Sequence, residues 1–207
     1  MAIDFTLTAQ QRDLQLTSPR FAKEVLGEAK AADLLATPEE RFHATKPTYE
    51  AMVAAGYLRK CIPAPAGGDS AGLMDIPILA EECYSVNPSV TLTMLGTALG
   101  VLPILLGGTP DQCRRLLAPF LKTSGAPLAG FCSSEPGGSA NAGAPPPGEG
   151  VRTTARREGG KWVINSRKKW VSSATGWDRD GADVLCVVCR THLRRSDYDP
   201  LAASGAS

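Results

Sequence analysis

The sequence changes character near residue 126, and this change constrains the fold more than any other feature. Before this point apolar residues recur at helical spacing, and after it short β-prone runs alternate with turns rich in glycine and proline. This order predicts an α+β fold. We expect an N-terminal all-α helical domain over residues 1–126, a small antiparallel β-barrel-like domain over 127–192, and a disordered tail over 193–207.

Five helices are expected in the first domain. Thr8 is the predicted N-cap of the first helix, and Pro19 within that helix predicts a kink or a break. The fourth helix, which Asn87 caps, is apolar nearly all round, and this predicts a helix buried at the centre of a bundle. The other three helices are predicted, in order, at 47–56, 77–86 and 112–121.

The second domain shows strand signals separated by turns. Gly159 and Gly160 lie between two β-prone runs and predict a hairpin. The residues from 142 to 150 include three consecutive prolines and predict an exposed loop. Strands are expected at 128–134, 151–156, 161–164, 169–172 and 182–189.

Charge and hydropathy exclude several classes of partner. The chain has 22 basic and 21 acidic residues, a net charge of +1, and its lysines and arginines are scattered, so we expect no nucleic acid. We find no run of eighteen apolar residues and no leader pattern, so we expect no membrane partner and a cytoplasmic location.

Six cysteines stand at irregular spacings, which favours buried free thiols. Cys186 and Cys189 form a C-x-x-C motif, which leaves a redox or zinc role as a weak alternative. Residues three apart on a strand point to opposite faces, and the chain has only two histidines, so no metal site is expected.

Two segments carry the residue types that a cofactor site needs. In 131–141 a strand ends in Ser133 and Ser134 and enters a glycine-rich turn, whose backbone N–H groups can bind an electron-rich ring or a phosphate. In 168–173, Trp170 and Ser172 stand two residues apart, on one face of a strand, which suits a flat heteroaromatic cofactor. The alternatives are an ordinary turn and a tryptophan that covers the β core.

These two segments, in this order and after a helical domain, resemble the acyl-CoA dehydrogenase superfamily. The motifs are Ser-Glu-Pro-Gly-Gly-Ser-Ala-Asn at 134–141 and Ser-Arg-Lys-Lys-Trp-Val-Ser-Ser at 166–173, and the helix at 95–103 also fits. The resemblance covers about residues 4–191. Within the superfamily the Arg-Phe-x-Ala-Thr-x-Pro run at 41–47, Gly176-Trp177-Asp178 and the run at 182–190 look like the nitroalkane oxidase branch.

The resemblance implies an FAD cofactor and assigns roles to single residues. Phe131, Ser133 and Ser134 would lie along the flavin edge, Trp170 would pack on the ring, and Ser172 would bond near its N5 side. The family's pyrophosphate-contacting serine falls on Ala140, and Ser139 is the candidate replacement. Leu95 and Leu99 would face the alkyl chain of the substrate, with a purely structural role as the alternative.

The resemblance also implies a small-molecule substrate, either an acyl-CoA or a nitroalkane, that is oxidised after proton abstraction next to a thioester or nitro group. In the family a C-terminal four-helix bundle supplies the carboxylate base and the contacts of a homo-oligomer. We expect the chain to end before this bundle, so the catalytic residue is unknown and the truncated chain is inactive. A non-catalytic scaffold or partner-binding fragment is the alternative from another class.

Overall fold

The computed structural model describes residues 6–138, 143 and 150–191 of the chain. These residues group into two compact units. The helical unit comprises 6–131 and 172–186, and the β unit comprises the described residues of 132–171 together with 187–191. The predicted tail and most of the predicted loop at 142–150 lie outside the described residues. The domain limits predicted at 1–126 and 127–192 stay a prediction.

Six α-helices form the helical unit, and threonine or asparagine caps begin four of them. Thr8, Thr37 and Thr109 each make a capping box with a Gln or Glu three residues later, and Asn87 accepts from the N–H of Val90. The helices are α1 Ala9–Val25, α2 Pro38–Ala44, α3 Lys46–Ala54, α4 Asp75–Tyr84, α5 Pro88–Gly107 and α6 Pro110–Leu117. Short 3₁₀ turns cover Leu26–Leu34, Arg59–Cys61, Ala64–Ala66 and Ala118–Leu121.

Two helical features differ from the sequence-based expectation. The helix α1 continues through Pro19, so the predicted break is wrong. The buried residues Leu14, Ser18 and Ala22 share a face of α1, which packs against α4, and this packing offsets the backbone bond that the proline removes. The helix α2 was not predicted. It has only seven residues and depends on the Thr37 cap and on Pro38 in its first turn.

The core of the helical unit surrounds α3 and α5. Its largest fully buried side chains are Tyr49, Phe120, Leu26, Met52, Leu58, Ile62, Leu79 and Met94. The Tyr49 hydroxyl donates to the Pro127 carbonyl at 2.7 Å and lies 3.3 Å from the Thr97 hydroxyl, which ties α3 to α5 and to the chain after α6. Burial raises the pKa of Tyr49, so its hydroxyl stays protonated.

The helix α5 is buried on one side only. Val90, Met94 and Val101 are fully buried. On the other side Leu92, Leu99, Leu102 and Leu106 are between 40% and 79% exposed, so burial all round is wrong for the described residues. By length and composition α5 could cross a membrane. This indication is weak, because a helix at the core of a globular unit meets the same test.

The strands form two small sheets. They are β1 Ala129–Cys132, β2 Thr154–Glu158, β3 Lys161–Asn165, β4 Val184–Val187 and β5 Arg190–Thr191. The strands β2 and β3 form the predicted hairpin around Gly159 and Gly160, and β5 pairs with β2 in parallel. The strand β1 pairs with β4. The amide of Val184 bonds the Leu128 carbonyl and that of Val188 bonds the Cys132 carbonyl, which indicates a parallel pair.

The predicted α+β class is confirmed. Among the described strands, however, the sheets have two and three strands, with β2 antiparallel to β3 and parallel to β5, in place of the expected antiparallel barrel-like sheet. The predicted strand at 169–172 is also wrong, because these residues are irregular and pass into a turn. Trp170 and Ser173 have φ angles of 58° and 60°, in the left-handed region that a strand cannot accommodate.

Candidate functional site

A buried ion pair organises the β unit next to its glycine-rich turn. The Lys168 ammonium donates to Glu135 Oε1 at 2.8 Å and to the Ser133 carbonyl at 3.1 Å. The side chains of Lys168 and Glu135 are 9% and 5% exposed. The Glu135 carboxylate also accepts from the Thr153 hydroxyl at 2.6 Å and from the amides of Arg152 and Thr153 at 2.7 and 3.0 Å. This network fixes the chain just beyond Ser134.

The environment of Glu135 decides its protonation. Burial raises the pKa of its carboxyl, but the hydrogen bonds from Lys168, Thr153 and the two backbone amides outweigh burial and lower it to about 2. A carboxylate with so low a pKa is a poor proton acceptor. Glu135 is therefore held ionised within the turn by Lys168, Thr153 and the two backbone amides.

The structure brings two predicted site segments of the β unit together. The backbone amide of Lys169 donates to the Ser134 carbonyl at 2.9 Å, so Ser134 and Trp170 lie on adjacent stretches of chain. Among the described residues, no group bonds the Ser134 N–H or hydroxyl. The Trp170 indole is 75% exposed, and the Lys169 ammonium lies 4.4 Å from its ring centre. Two open donors and an accessible aromatic plate suit a flat, electron-rich ring.

Ser172 belongs to the helical unit, where it packs against α5. A Cβ atom placed on Gly96 would lie 3.2 Å from Ser172 Cβ, so the glycine permits this close approach. The following residues are anchored by Trp177. Its ring stacks on Phe42 at 4.4 Å between centres, and its Nε1 donates to the Ala126 carbonyl at 2.8 Å.

A cavity of about 320 Å³ lies beside Ser172 within the helical unit. We name it the Arg41 cavity, after the charged side chain in its wall. It is bounded by α2, the first turns of α5 and the start of the 172–183 segment, with the lining residues Pro38, Arg41, Phe42, Thr45, Ser89, Leu92, Thr93, Ser172 and Ser173.

The remaining predicted site residues lie either in the helical unit or outside the described residues. Phe131 is half-buried in β1. Leu95 is half-buried and Leu99 is 48% exposed on α5. Neither leucine lines the Arg41 cavity, where Leu92 and Thr93 stand instead. Ser139, Ala140 and Asn141 lie outside the described residues. In the part of the chain that the structure describes, no group of three His, Cys, Asp or Glu side chains could hold a metal.

Sequence reasoning missed Lys168 and Thr153 as partners of Glu135, and it missed Arg41, Phe42 and Thr45 as the wall of a cavity. The pairing of Glu135 with Lys168 joins residues 33 positions apart, which no local pattern reports. The signal for the cavity was present, because Arg41, Phe42 and Thr45 all belong to the Arg-Phe-x-Ala-Thr-x-Pro run.

Comparison with known proteins identifies the class to which this fold belongs. Residues 8–124 match the family described as acyl-CoA dehydrogenase, N-terminal domain. The chain therefore belongs to the acyl-CoA dehydrogenase family, and the resemblance seen in the sequence is confirmed.

Nitroalkane oxidases are among its similar relatives. That of Podospora anserina is 46% identical over 195 residues, which are 92% of this chain and 44% of the relative. A solved structure of the flavoprotein nitroalkane oxidase superposes with a TM-score of 0.86 at 38% identity, over 94% of this chain and 45% of that one. An acyl-CoA dehydrogenase from Bacillus anthracis complexed with FAD, 24% identical with a TM-score of 0.69, shares the fold. The chain thus spans less than half the length of the nitroalkane oxidases that it matches.

Proposed function

We propose that this chain is the flavin-binding part of an oxidoreductase of the nitroalkane oxidase or acyl-CoA dehydrogenase type. The observation that carries the proposal is the Lys169–Ser134 backbone bond of 2.9 Å, which joins the two motif segments in the β unit. The family, and the relatives that are flavoproteins or hold FAD, support the choice of ligand.

The residues present fit such a ligand. The Ser134 N–H and hydroxyl offer hydrogen bonds to the polar edge of the isoalloxazine, and the exposed Trp170 indole offers a surface against which it can pack. Phe131 and Ser172 belong to the helical unit, and Ser139 lies outside the described residues, so their flavin contacts remain part of the proposal by resemblance. When bound, FAD would accept the electrons that leave the substrate.

The chain's own residues would bind and orient the cofactor, and none of the described residues is proposed as the base. Glu135, the acidic residue nearest to the motif, is held ionised by Lys168 and Thr153. The substrate, a nitroalkane or an acyl-CoA that loses a proton next to its nitro or thioester group, is likewise proposed by resemblance, as is assembly into a homo-oligomer. In the described structure the six cysteines are not joined in disulfides, which fits a reducing compartment and supports the proposed cytoplasmic location.

The test is FAD uptake by the purified chain. We expect yellow protein, or a colourless protein that quenches added FAD fluorescence in a saturable titration. Trp170→Ala should weaken FAD binding about tenfold, because it removes the stacking surface. Trp162→Ala is the matched control, since Trp162 is an exposed tryptophan of β3 in the same unit, and it should bind FAD as the unchanged chain does.

A second candidate, a non-catalytic scaffold that binds a partner, is favoured by one observation. The row Leu92, Leu99, Leu102 and Leu106 on α5 is exposed in the described structure, and such apolar surface often marks an interaction site. If the chain stays colourless and takes up no FAD, the flavin proposal is excluded and the scaffold candidate remains.

A further inference from the structure

We propose that the Arg41 cavity binds a small molecule with an oxyanion head and a short apolar tail, and that Arg41 holds the head. The proposal goes beyond flavin binding, because Ser172 is the one lining residue that is also among the proposed flavin contacts. It assigns a role to the Arg-Phe-x-Ala-Thr-x-Pro run, whose Arg41, Phe42 and Thr45 all line the cavity.

The charge of Arg41 is available to a ligand. Its Nη1 donates to the carbonyls of Leu35 and Ala36 at 2.7 and 3.2 Å, whereas Nε and Nη2 have no partner among the described residues. A guanidinium with two open donors matches the two oxygens of a carboxylate or nitronate.

Neighbouring carboxylates are engaged elsewhere. None of the described residues that line the cavity is acidic. On α2 itself, Glu39 is paired with Arg179 and lies 3.7 Å from His43. Glu40 accepts from the backbone and hydroxyl of Thr37 at 3.0 and 2.9 Å, and these bonds lower its pKa, with a smaller contribution from the Arg41 charge. Arg41 therefore gives this cavity a positive charge.

The rest of the lining combines hydroxyls with an apolar wall. Ser89, Thr93, Ser172 and Ser173 supply hydroxyl groups, and Phe42 and Leu92 supply apolar surface. The volume of about 320 Å³ is at the small end of ligand sites, so the tail must be short. Ser173 keeps a left-handed backbone with φ 60°, the kind of local strain that concentrates at functional sites.

Calorimetric titration of the full chain tests the proposal with two oxyanions, hexanoate and the nitronate of 1-nitrohexane, and with neutral 1-hexanol. We expect saturable binding of at least one anion, with 1-hexanol at least tenfold weaker. Arg41→Gln should weaken anion binding tenfold or more, since it removes the charge that strengthens the hydrogen bonds to the anion. Arg41→Lys keeps the charge but loses the paired donors, so its affinity should lie between those of Arg41→Gln and the unchanged chain. The anion that binds more tightly tells a nitronate site from a carboxylate site.

A second pair of variants protects the test against misfolding, because Arg41 also holds the Leu35 and Ala36 carbonyls. Leu92 is 51% exposed, so its substitution should leave the fold intact. Leu92→Glu should abolish anion binding by repulsion, while Leu92→Gln should retain it. Equal binding of 1-hexanol, unchanged binding after Leu92→Glu, or no saturable anion binding would overturn the proposal.

FAD uptake, measured on the same samples, separates the two proposals. Anion binding without FAD uptake would overturn only the flavin proposal, and FAD uptake without anion binding would overturn only the Arg41 cavity proposal.

Discussion

The helical unit and the β unit are stabilised by different interactions. The helical unit encloses a large apolar core, with Tyr49, Met94 and Phe120 fully buried. In the β unit the buried hydrophobic residues are Cys132, Val151 and Ala155, and all five residues of β3 are exposed. What fixes the β unit is the polar network around Glu135 and Lys168. The stability of the helical unit therefore depends on many buried apolar residues. The stability of the β unit depends on a few polar residues.

The largest expected effect tests whether the stability of the β unit depends on the network around Glu135 and Lys168. Lys168→Ala leaves the buried Glu135 carboxylate without its cation, and we expect a loss of about 3 kcal/mol or more in the stability of the β unit. Lys169→Ala is the control, because Lys169 is an exposed neighbour, and its loss should change stability by less than about 0.5 kcal/mol. Hydrogen exchange by mass spectrometry should show lost protection in β2 and β3 only. Equal effects of the two substitutions would contradict the contrast between the units.

The next largest effect is expected from acid, which should destabilise the β unit more than the helical unit. The folded pKa of Glu135, about 2, is below its ordinary value of 4.5, so its ionisation stabilises the fold above pH 4.5. This stability is lost as the pH falls from 4.5 to 2, by roughly 2–3 kcal/mol. Exchange of the β2 and β3 amides should therefore accelerate over this window more than that of α5. Glu135→Gln should flatten the dependence, and an unchanged slope in that variant would argue against the assignment.

A substitution in α5 measures how tightly the apolar unit is packed. A Cβ on Gly100 would lie 2.6 Å from the Ala129 carbonyl carbon, so Gly100→Ala should cost about 1–3 kcal/mol. Gly107→Ala is the matched control in the same helix, where a Cβ meets nothing within 4 Å. It should be neutral or stabilise by up to about 1 kcal/mol. Thermal unfolding followed by circular dichroism at 222 nm checks both, and a neutral Gly100→Ala would mean looser packing than the structure indicates.

The smallest effect concerns polar contacts on the helical unit. Arg179 and Glu39 form an ion pair whose side chains are 74% and 48% exposed. Arg179→Gln should reduce stability only slightly, and 0.5 M salt should remove the difference. A loss as large as that of Lys168→Ala would erase the distinction between exposed and buried polar groups. Urea titrations at two salt concentrations make the comparison.

How much of the fold could be read from the sequence depends on whether the cause was local. The Thr8 and Asn87 caps and the Gly159-Gly160 hairpin were predicted, because each acts within a few residues. The strand predicted at 169–172 failed, because alternation of side chains does not report a left-handed backbone at Trp170. The exposed leucines of α5 could not be foreseen, since composition does not tell which side of an apolar helix is covered.

The candidate site shows the same difference between features with a local cause in the sequence and features without one. Ser134 and Trp170 could be nominated because each belongs to a recognisable motif, and the structure places them on adjacent stretches of chain. The ion pair that supports them and the cavity beside Ser172 depend on side chains that meet only in three dimensions.

Trp177 has a consequence for the order in which the protein forms during synthesis. Its ring lies against Phe42, 135 positions earlier in the numbering, and its indole nitrogen holds Ala126. The ribosome must therefore synthesise the chain past Trp177 before the helical unit can complete its packing around Phe42. Contacts between residues so distant in sequence slow folding. A nascent chain arrested near residue 150 would contain the six described α-helices. It would still lack Trp177, so Phe42 would remain exposed to chaperones.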